Sequence, residues 1–203
     1  MSDNPIQLLT TSTTDEDEHL AALHTALVDR ATTESSVDLT YRVVDSPVGA
    51  LLLAATDAGV VRVAFAVEDH DRVLESLGTH VGSRILRGGN RLDPLARELD
   101  DYFNARRRHF DVPVDLRLAR GFRLSVLNHL TQIPYGATES YTEVASASGS
   151  PRAVRAVGSA CATNPLPIVV PCHRVVRSDG SLGGYLGGLP AKEHLLGLER
   201  GQR

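Results

Sequence analysis

Two residues of this chain offer a sulfur nucleophile, Cys161 and Cys172, and the second is followed at once by His173. A thiol attacks only after losing its proton; a histidine is its usual base, and a carboxylate usually orients that histidine. Adjacent side chains on an extended chain point to opposite sides, so a Cys172–His173 partnership requires a turn or a bridging water. Arg174 and Arg177 add positive potential that would lower the thiol pKa. Taken alone, the pair also fits an inert buried thiol beside a surface histidine. Two cysteines are too few for a disulfide framework, or for a zinc site of three or four thiolates. Neither a metal nor a cofactor is expected.

Several elements must position this pair. Ile168-Val169-Val170 reads as a short buried strand that Pro171 ends. Downstream, Gly183-Gly184-Tyr185-Leu186-Gly187-Gly188 sets one aromatic in a glycine-rich loop, where backbone can approach a ligand and a tyrosine can stack on a base. A helix over 190–199 follows and carries Glu199 in its last turn. Upstream, a helix over 120–133 stops at Pro134-Tyr135-Gly136. A short helix over 142–147 closes at Gly149, and Ser150-Pro151 offers an N-cap and first-turn proline for a longer helix over 151–163. Short helix, glycine-containing turn and longer helix form a helix-turn-helix signature.

The first half reads differently. Residues 40–66 carry β-branched and apolar runs broken at Ser46-Pro47 and Asp57-Ala58-Gly59, which predicts a small antiparallel sheet. Helices are expected over 67–81, ending near Gly78, and over 92–110, with Arg106, Arg107 and Arg108 at the end of the second helix facing its C-terminal dipole. Residues 110–116 read as an extended connector. Before the sheet, Thr14 precedes Asp15, Glu16 and Asp17 as a capped helix start; Leu20, Leu23, Leu27 and Val28 follow at helical spacing, and 31–36 read as a linker.

The net charge of −4 argues mildly against a nucleic-acid partner. From residue 140 onward, however, seven basic residues face four acidic ones, and attraction to phosphates is local. No apolar run approaches the roughly 18 residues of a membrane helix. The first residues have neither the basic nor the apolar region of a secretory signal, so a cytoplasmic setting is expected.

PCHRVVRSDGSLGGYLGG resembles the active-site signature of the O6-alkylguanine-DNA alkyltransferases, with Pro-Cys-His-Arg-Val as its specific core. IPYGATESYTEVA at 133–145, RAVGSACATNP at 155–165 and KEHLLGLE at 192–199 agree with it. The resemblance is close over 133–199, looser over 40–130 and absent over 1–38. It implies an α+β fold: a ribonuclease H-like sheet-plus-helix domain over 39–116, then a mainly helical, winged-helix-like domain with the helix-turn-helix over 117–203. Residues 1–38 stand apart as an extension. The family's Phe-Gln…Val-Trp helix pattern is here Phe122, Arg123, Val126 and Leu127, and the chain has no tryptophan. Neither cysteine lies in the N-terminal half, so the zinc site of some relatives is not carried over.

The resemblance implies direct repair of double-stranded DNA containing O6-alkylguanine, with O4-alkylthymine a further candidate, by a monomer bound in the minor groove around a flipped nucleotide. Cys172 would accept the alkyl group once and irreversibly. His173 would take its proton through water, and Glu199 would hold the imidazole. Tyr141 would donate a proton to the leaving base and turn its phosphate. Arg155 would fill the gap in the base stack, and Gly158 and Ser159 would allow close approach to DNA. Tyr185 would line the base pocket, with the main chain of Cys172 and Val175 reading the guanine edge. Asn164 would tie the helix-turn-helix to the active-site strand, and Cys161 would be a small pocket-side residue. Two other readings use the same residues: a cysteine hydrolase, with turnover on an acyl substrate, and a helix-turn-helix damage sensor without chemistry. The ordered set from Tyr141 to Glu199 favours alkyl transfer.

Overall fold

A computed structural model describes Glu16, His19, Leu20, residues 22–28 and residues 30–201. The first helix, α1, includes residues 22–28 and 30–33. Thr14, Asp15 and Asp17 lie outside the described residues. The apolar spacing predicts one buried face, yet Leu20, Leu23 and Leu27 are 62 %, 54 % and 58 % exposed and only Val28 is fully buried. The expected linker over 31–36 begins as the last turn of α1, closed where the Ser36 hydroxyl donates to the Ala31 carbonyl at 2.9 Å.

A four-stranded sheet follows, with β1 (Leu39–Val44), β2 (Leu51–Thr56), β3 (Gly59–Phe65) and β4 (Ile85–Arg87) in the order β3-β2-β1-β4. The first three strands form the expected antiparallel hairpins. β4 was not expected, and it pairs parallel to β1, so the sheet is mixed. Three residues are too few to leave a periodic signal. Every residue of β2 is buried, because the sheet is covered on both faces. On one face Leu52, Ala54 and Val61 pack with Val73 and Leu77 of α2 (His70–His80). That helix runs through Gly78 rather than ending there, and it starts where the Asp69 side chain accepts from Asp71 and Arg72 amides.

On the other face Leu51, Leu53, Val63 and Phe65 share one core with α3 (Asp93–Phe103) and with the second half of the chain. α3 is shorter than the expected 92–110 helix. Arg106 and Arg107 follow its end, paired with Asp100 and Asp101 and with Asp111. The edge of β3 is closed by the connector, Val60 donating to the Pro113 carbonyl at 2.8 Å and receiving from Asp115 at 2.7 Å. Gly59 sits at φ +141°, and a Cβ there would collide with that Pro113 carbonyl. Val63 also donates to the Pro165 carbonyl at 2.8 Å, tying the sheet to the segment before Cys172.

The second half holds α4 (Gly121–Leu130), α5 (Tyr141–Ala147), α6 (Val154–Ala162) and α7 (Leu189–Glu199). α5 starts one residue earlier than expected, on a capping box. Glu143 donates its amide to the Ser140 hydroxyl at 3.2 Å, and its carboxylate accepts from the Ser140 amide at 2.6 Å. α6 starts three residues later than expected. Ser150 accepts from the Ala153 amide at 2.8 Å, so Ser150-Pro151 opens the interhelical turn rather than the helix. Residues 168–170 form no strand: Ile168 takes φ +75° and the chain coils toward the site. Short parallel strands β5 (Glu139–Ser140) and β6 (Val175–Val176) then join the start of α5 to the residues just after Cys172. Among the described residues no helix is long and apolar enough to cross a membrane.

Candidate active site

Cys172, His173 and Arg174 form a single 3-10 turn, which supplies the bend that the adjacent pair requires. Asn164 anchors the turn from behind. Its side-chain amide donates to the Val170 carbonyl at 2.8 Å and to the Cys172 sulfur at 3.2 Å, while its oxygen accepts from the Leu166 amide at 3.0 Å. Asn164 is therefore fully buried behind the thiol, not on the pocket wall.

Burial pushes the Cys172 thiol up to about 11, and the Asn164 hydrogen bond and the Lys192 charge pull it only partly back. The resting thiol is protonated and needs a base. His173 is fully buried, and burial holds its imidazole below the usual range, so it rests neutral, although Glu199 opposes the shift. Its Nε2 lies 2.9 Å from Glu199 Oε1, which fixes the proton on that nitrogen. Nδ1, the nitrogen left to accept a proton, is buried with no protein partner.

Glu199 loses favour for ionisation by burial but regains more from its partners. His173 and Arg174 hold its carboxyl well below the usual carboxylate range. Arg174 Nη2 donates to Oε1 at 2.8 Å, Arg174 Nε to Oε2 at 3.0 Å, and the Gly136 amide to Oε2 at 3.0 Å. Arg174 is thus spent on Glu199 and on the Ile133 carbonyl at 2.6 Å. The cation acting on the thiol is Lys192 and not, as expected from sequence, Arg174 or Arg177; Arg177 is exposed and acts electrostatically on Tyr141.

Cys172 opens on a pocket of about 450 Å³ lined by Tyr141, Gly158, Cys161, Ala162, Gly184, Tyr185 and Leu186. Tyr185 packs edge-on against Phe65, with ring centroids 5.6 Å apart, and faces His173 at 6.4 Å. A Cβ on Gly187 would lie 2.7 Å from the Phe65 ring, so the loop needs glycine there to close over the sheet. A Cβ on Gly183 would lie 2.9 Å from the Tyr141 hydroxyl. By contrast, a Cβ on Gly158 would meet nothing within 4 Å, so its absence opens the pocket wall rather than serving packing. Burial keeps the Tyr141 and Tyr185 phenols protonated.

Arg155 and Ser159 stand exposed on α6, and Arg155 forms no ion pair among the described residues. Val175 is buried away from the pocket lining, and its carbonyl accepts from Lys192 Nζ at 2.6 Å. Cys161 lines the pocket, but burial raises its thiol above that of Cys172, and it has no hydrogen-bond donor comparable to Asn164.

Two further residues complete the site beyond those that the sequence motifs single out. Lys192 is fully buried, and its spacing with Leu195, Leu196 and Glu199 on one helical face was an available signal, since a lysine there must be paired. Tyr102 reaches Glu199 from α3 at 2.7 Å, and nothing local distinguishes it from a core aromatic. No group of three or more His, Cys, Asp or Glu among the described residues could hold a metal.

Two family models match the chain. The 6-O-methylguanine DNA methyltransferase, ribonuclease-like domain, covers residues 39–116, and the 6-O-methylguanine DNA methyltransferase, DNA binding domain, covers residues 121–201. The methylated-DNA–protein-cysteine methyltransferase of Methanosarcina barkeri is 40 % identical over 162 residues, which are 78 % of this chain and 96 % of the relative. That of Mycolicibacterium paratuberculosis is 41 % identical over 160 residues, 79 % and 92 % of the two chains. Among solved structures, Mycobacterium tuberculosis OGT in complex with DNA superposes with a TM-score of 0.70 at 37 % identity, covering 80 % of this chain and 94 % of its own.

Proposed function

From the premise that this chain belongs to the O6-alkylguanine-DNA alkyltransferase family, we propose that Cys172 is its alkyl acceptor. The chain repairs DNA by direct reversal, transferring the alkyl group to a cysteine, a reading supported by relatives named methylated-DNA–protein-cysteine methyltransferases. The observation that carries the choice of residue is the Cys172 thiol at the pocket wall, with the His173–Glu199 pair directly behind it.

In the proposed reaction His173 Nδ1 takes the thiol proton through water while Glu199 supports the imidazolium at Nε2. The thiolate attacks the alkyl carbon in line, an S–C bond forms, and the C–O6 bond breaks. The guanine leaves with its electron pair and takes a proton from Tyr141. The thioether does not hydrolyse, so each molecule acts once. Duplex DNA carrying O6-alkylguanine would bind through its minor groove, with the damaged nucleotide turned into the pocket beside Tyr185, because a buried thiol cannot reach a stacked base. Arg155 would occupy the space in the stack, and the exposed, unpaired guanidinium suits that role. O4-alkylthymine is a second candidate substrate.

Residues 39–116 would act as scaffold and 117–203 as the DNA-binding acceptor domain. The acting unit in this reading is a monomer. The two free cysteines suit a reducing cytoplasm.

Intact-protein mass after mixing with an O6-methylguanine duplex tests this. One methyl per molecule is expected, on the peptide holding Cys172, and none with Cys172→Ala, whose duplex affinity should stay within about threefold because a buried pocket residue is not placed to contact the phosphates. Several substrate equivalents consumed per protein would favour the hydrolase reading.

A further inference from the structure

Oε1 of Glu199 receives donors from three residues: His173 Nε2, Arg174 through Nη2 and Nε, and the Tyr102 hydroxyl, the last at 2.7 Å. Tyr102 is fully buried, belongs to α3 in the first half of the chain, and also lies 3.5 Å from His173 Nε2. Its ring is wedged among Phe103, Phe110 and Tyr135 at centroid distances of 5.5, 5.4 and 6.1 Å. The hydroxyl therefore has little freedom, and it points at the one carboxylate that supports the base.

We propose that Tyr102 is a positioning residue of the acceptor site, which holds the Glu199 carboxylate turned toward His173 and takes up part of its charge, so that the imidazole stays the neutral base for Cys172. The inference rests on the reading of Cys172 as alkyl acceptor given above. A carboxylate that accepts a strong hydrogen bond from a phenol shares its charge and draws less on the neighbouring imidazolium. Removing the phenol makes Glu199 more basic, and His173 then holds a proton to higher pH. The phenol stays a donor throughout, because burial first, and the Glu199 charge second, keep it protonated. The other charged or titratable groups facing the imidazole are Arg174 beside it, Lys192 on the same helix as Glu199, and Tyr185 across the pocket. Tyr135 touches the pair only through Tyr102 and Glu199. Of these only Arg174 also donates to Oε1, and its guanidinium is already engaged there, so none is free to take the place of the phenol.

The test compares wild type, Tyr102→Phe and protein carrying 3-fluorotyrosine at position 102. Single-turnover methyl transfer is measured across pH at saturating duplex, together with duplex affinity. Phenylalanine keeps the ring packing and loses only the donor. It should slow transfer by about threefold below neutral pH and move the acid limb of the rate profile upward by about half a unit. Fluorotyrosine keeps the shape and strengthens the donor, so its acid limb should move downward. Duplex affinity should be unchanged in both. Opposite displacements of the acid limb establish the role. Superimposable pH profiles for all three proteins, or a loss confined to thermal stability, overturn it. If Tyr102→Phe does not fold, the fluorotyrosine protein alone decides by the direction of its limb. Failure of the underlying reading looks different, since wild type itself would then carry no methyl on Cys172.

Discussion

The proposed acceptor relay and the exposed face of α6, which also contributes to the pocket lining, are built in opposite ways. Inside, Cys172, His173, Arg174 and Glu199 are buried, and most of their polar atoms have protein partners within 3.2 Å. Outside, Arg155 and Ser159 are exposed, and the Arg155 guanidinium has no ionic partner among the described residues. Removing water strengthens charge interactions and fixes protonation states, which is what proton transfer from a thiol requires. A surface meant for a polyanion needs the reverse, donors still free when the ligand arrives. A substitution inside should therefore change stability and chemistry together, whereas one outside should change only what depends on the duplex.

The largest effect should follow Glu199→Gln. The change leaves Arg174 as a buried cation without its counter-charge and weakens the hold on His173. A stability loss of about 3–5 kcal/mol is expected in urea unfolding, with a fall of about 100-fold or more in single-turnover alkyl transfer. The pH dependence has a definite sign. The carboxyl of Glu199 is lowered in the folded chain, so its contribution is present above the unfolded value of about 4.3 and is lost as pH falls below it. The imidazole of His173 is lowered too, so its contribution is present above about 6.5 and is also lost on acidification. Urea midpoints of wild type should fall from about pH 6.5 downward, and the Glu199→Gln profile should be flatter below about pH 4.3. Normal stability in the variant would show that the relay is not a buried charge network.

A smaller and more selective effect should follow Arg155→Ala. Extruding a base costs a few kcal/mol, and the guanidinium is proposed to occupy the space it leaves. Repair of the duplex should slow by about tenfold or more at saturating DNA, while reaction with free O6-methylguanine stays the same. The ratio of duplex rate to free-base rate is the measurement. An unchanged ratio would rule out the role and leave α6 as a simple docking surface. Recovery of the rate at low salt would reduce Arg155 to a phosphate contact.

This contrast also governs how much could be read from the sequence. That Cys172, His173 and Glu199 come together was legible because the family signature fixes them in order along the chain. The hairpins of β1 to β3 and the body of each main helix were legible from periodicity and turn residues. The partners that complete the site were not. Tyr102 lies 71 positions from His173, and only the folded chain brings them together. Arg174 looked like a charge for the thiol, but its planar fork found the Glu199 carboxylate instead, leaving that task to Lys192. Ile168-Val169-Val170 has the composition of a strand, yet the turn that presents Cys172 bends it, with Ile168 at φ +75°. The Leu20, Leu23 and Leu27 spacing announced a buried face that the described structure leaves in solvent.

The smallest effect should come from the second thiol. Cys161 and Cys172 line the same pocket, so proximity to the substrate does not distinguish them. Their surroundings do. Burial raises both thiols, but Cys161 rises further, and the Asn164 side chain donates to Cys172 alone. His173 follows Cys172 in the same 3-10 turn, while Cys161 sits among Val157 and Ala160 on the apolar face of α6. A thiol with no route for its proton is a small hydrophobe. Cys161→Ala should therefore still take up one methyl per molecule, at a rate within about threefold of wild type, because the reacting atoms and their base are untouched. The sulfur it loses leaves a small cavity, with a stability loss of about 1 kcal/mol. Intact mass and peptide mapping decide between the two cysteines. If wild type carried methyl on both and the variant only on Cys172, Cys161 would be a second acceptor, and burial with its missing proton route would not explain the selectivity between them.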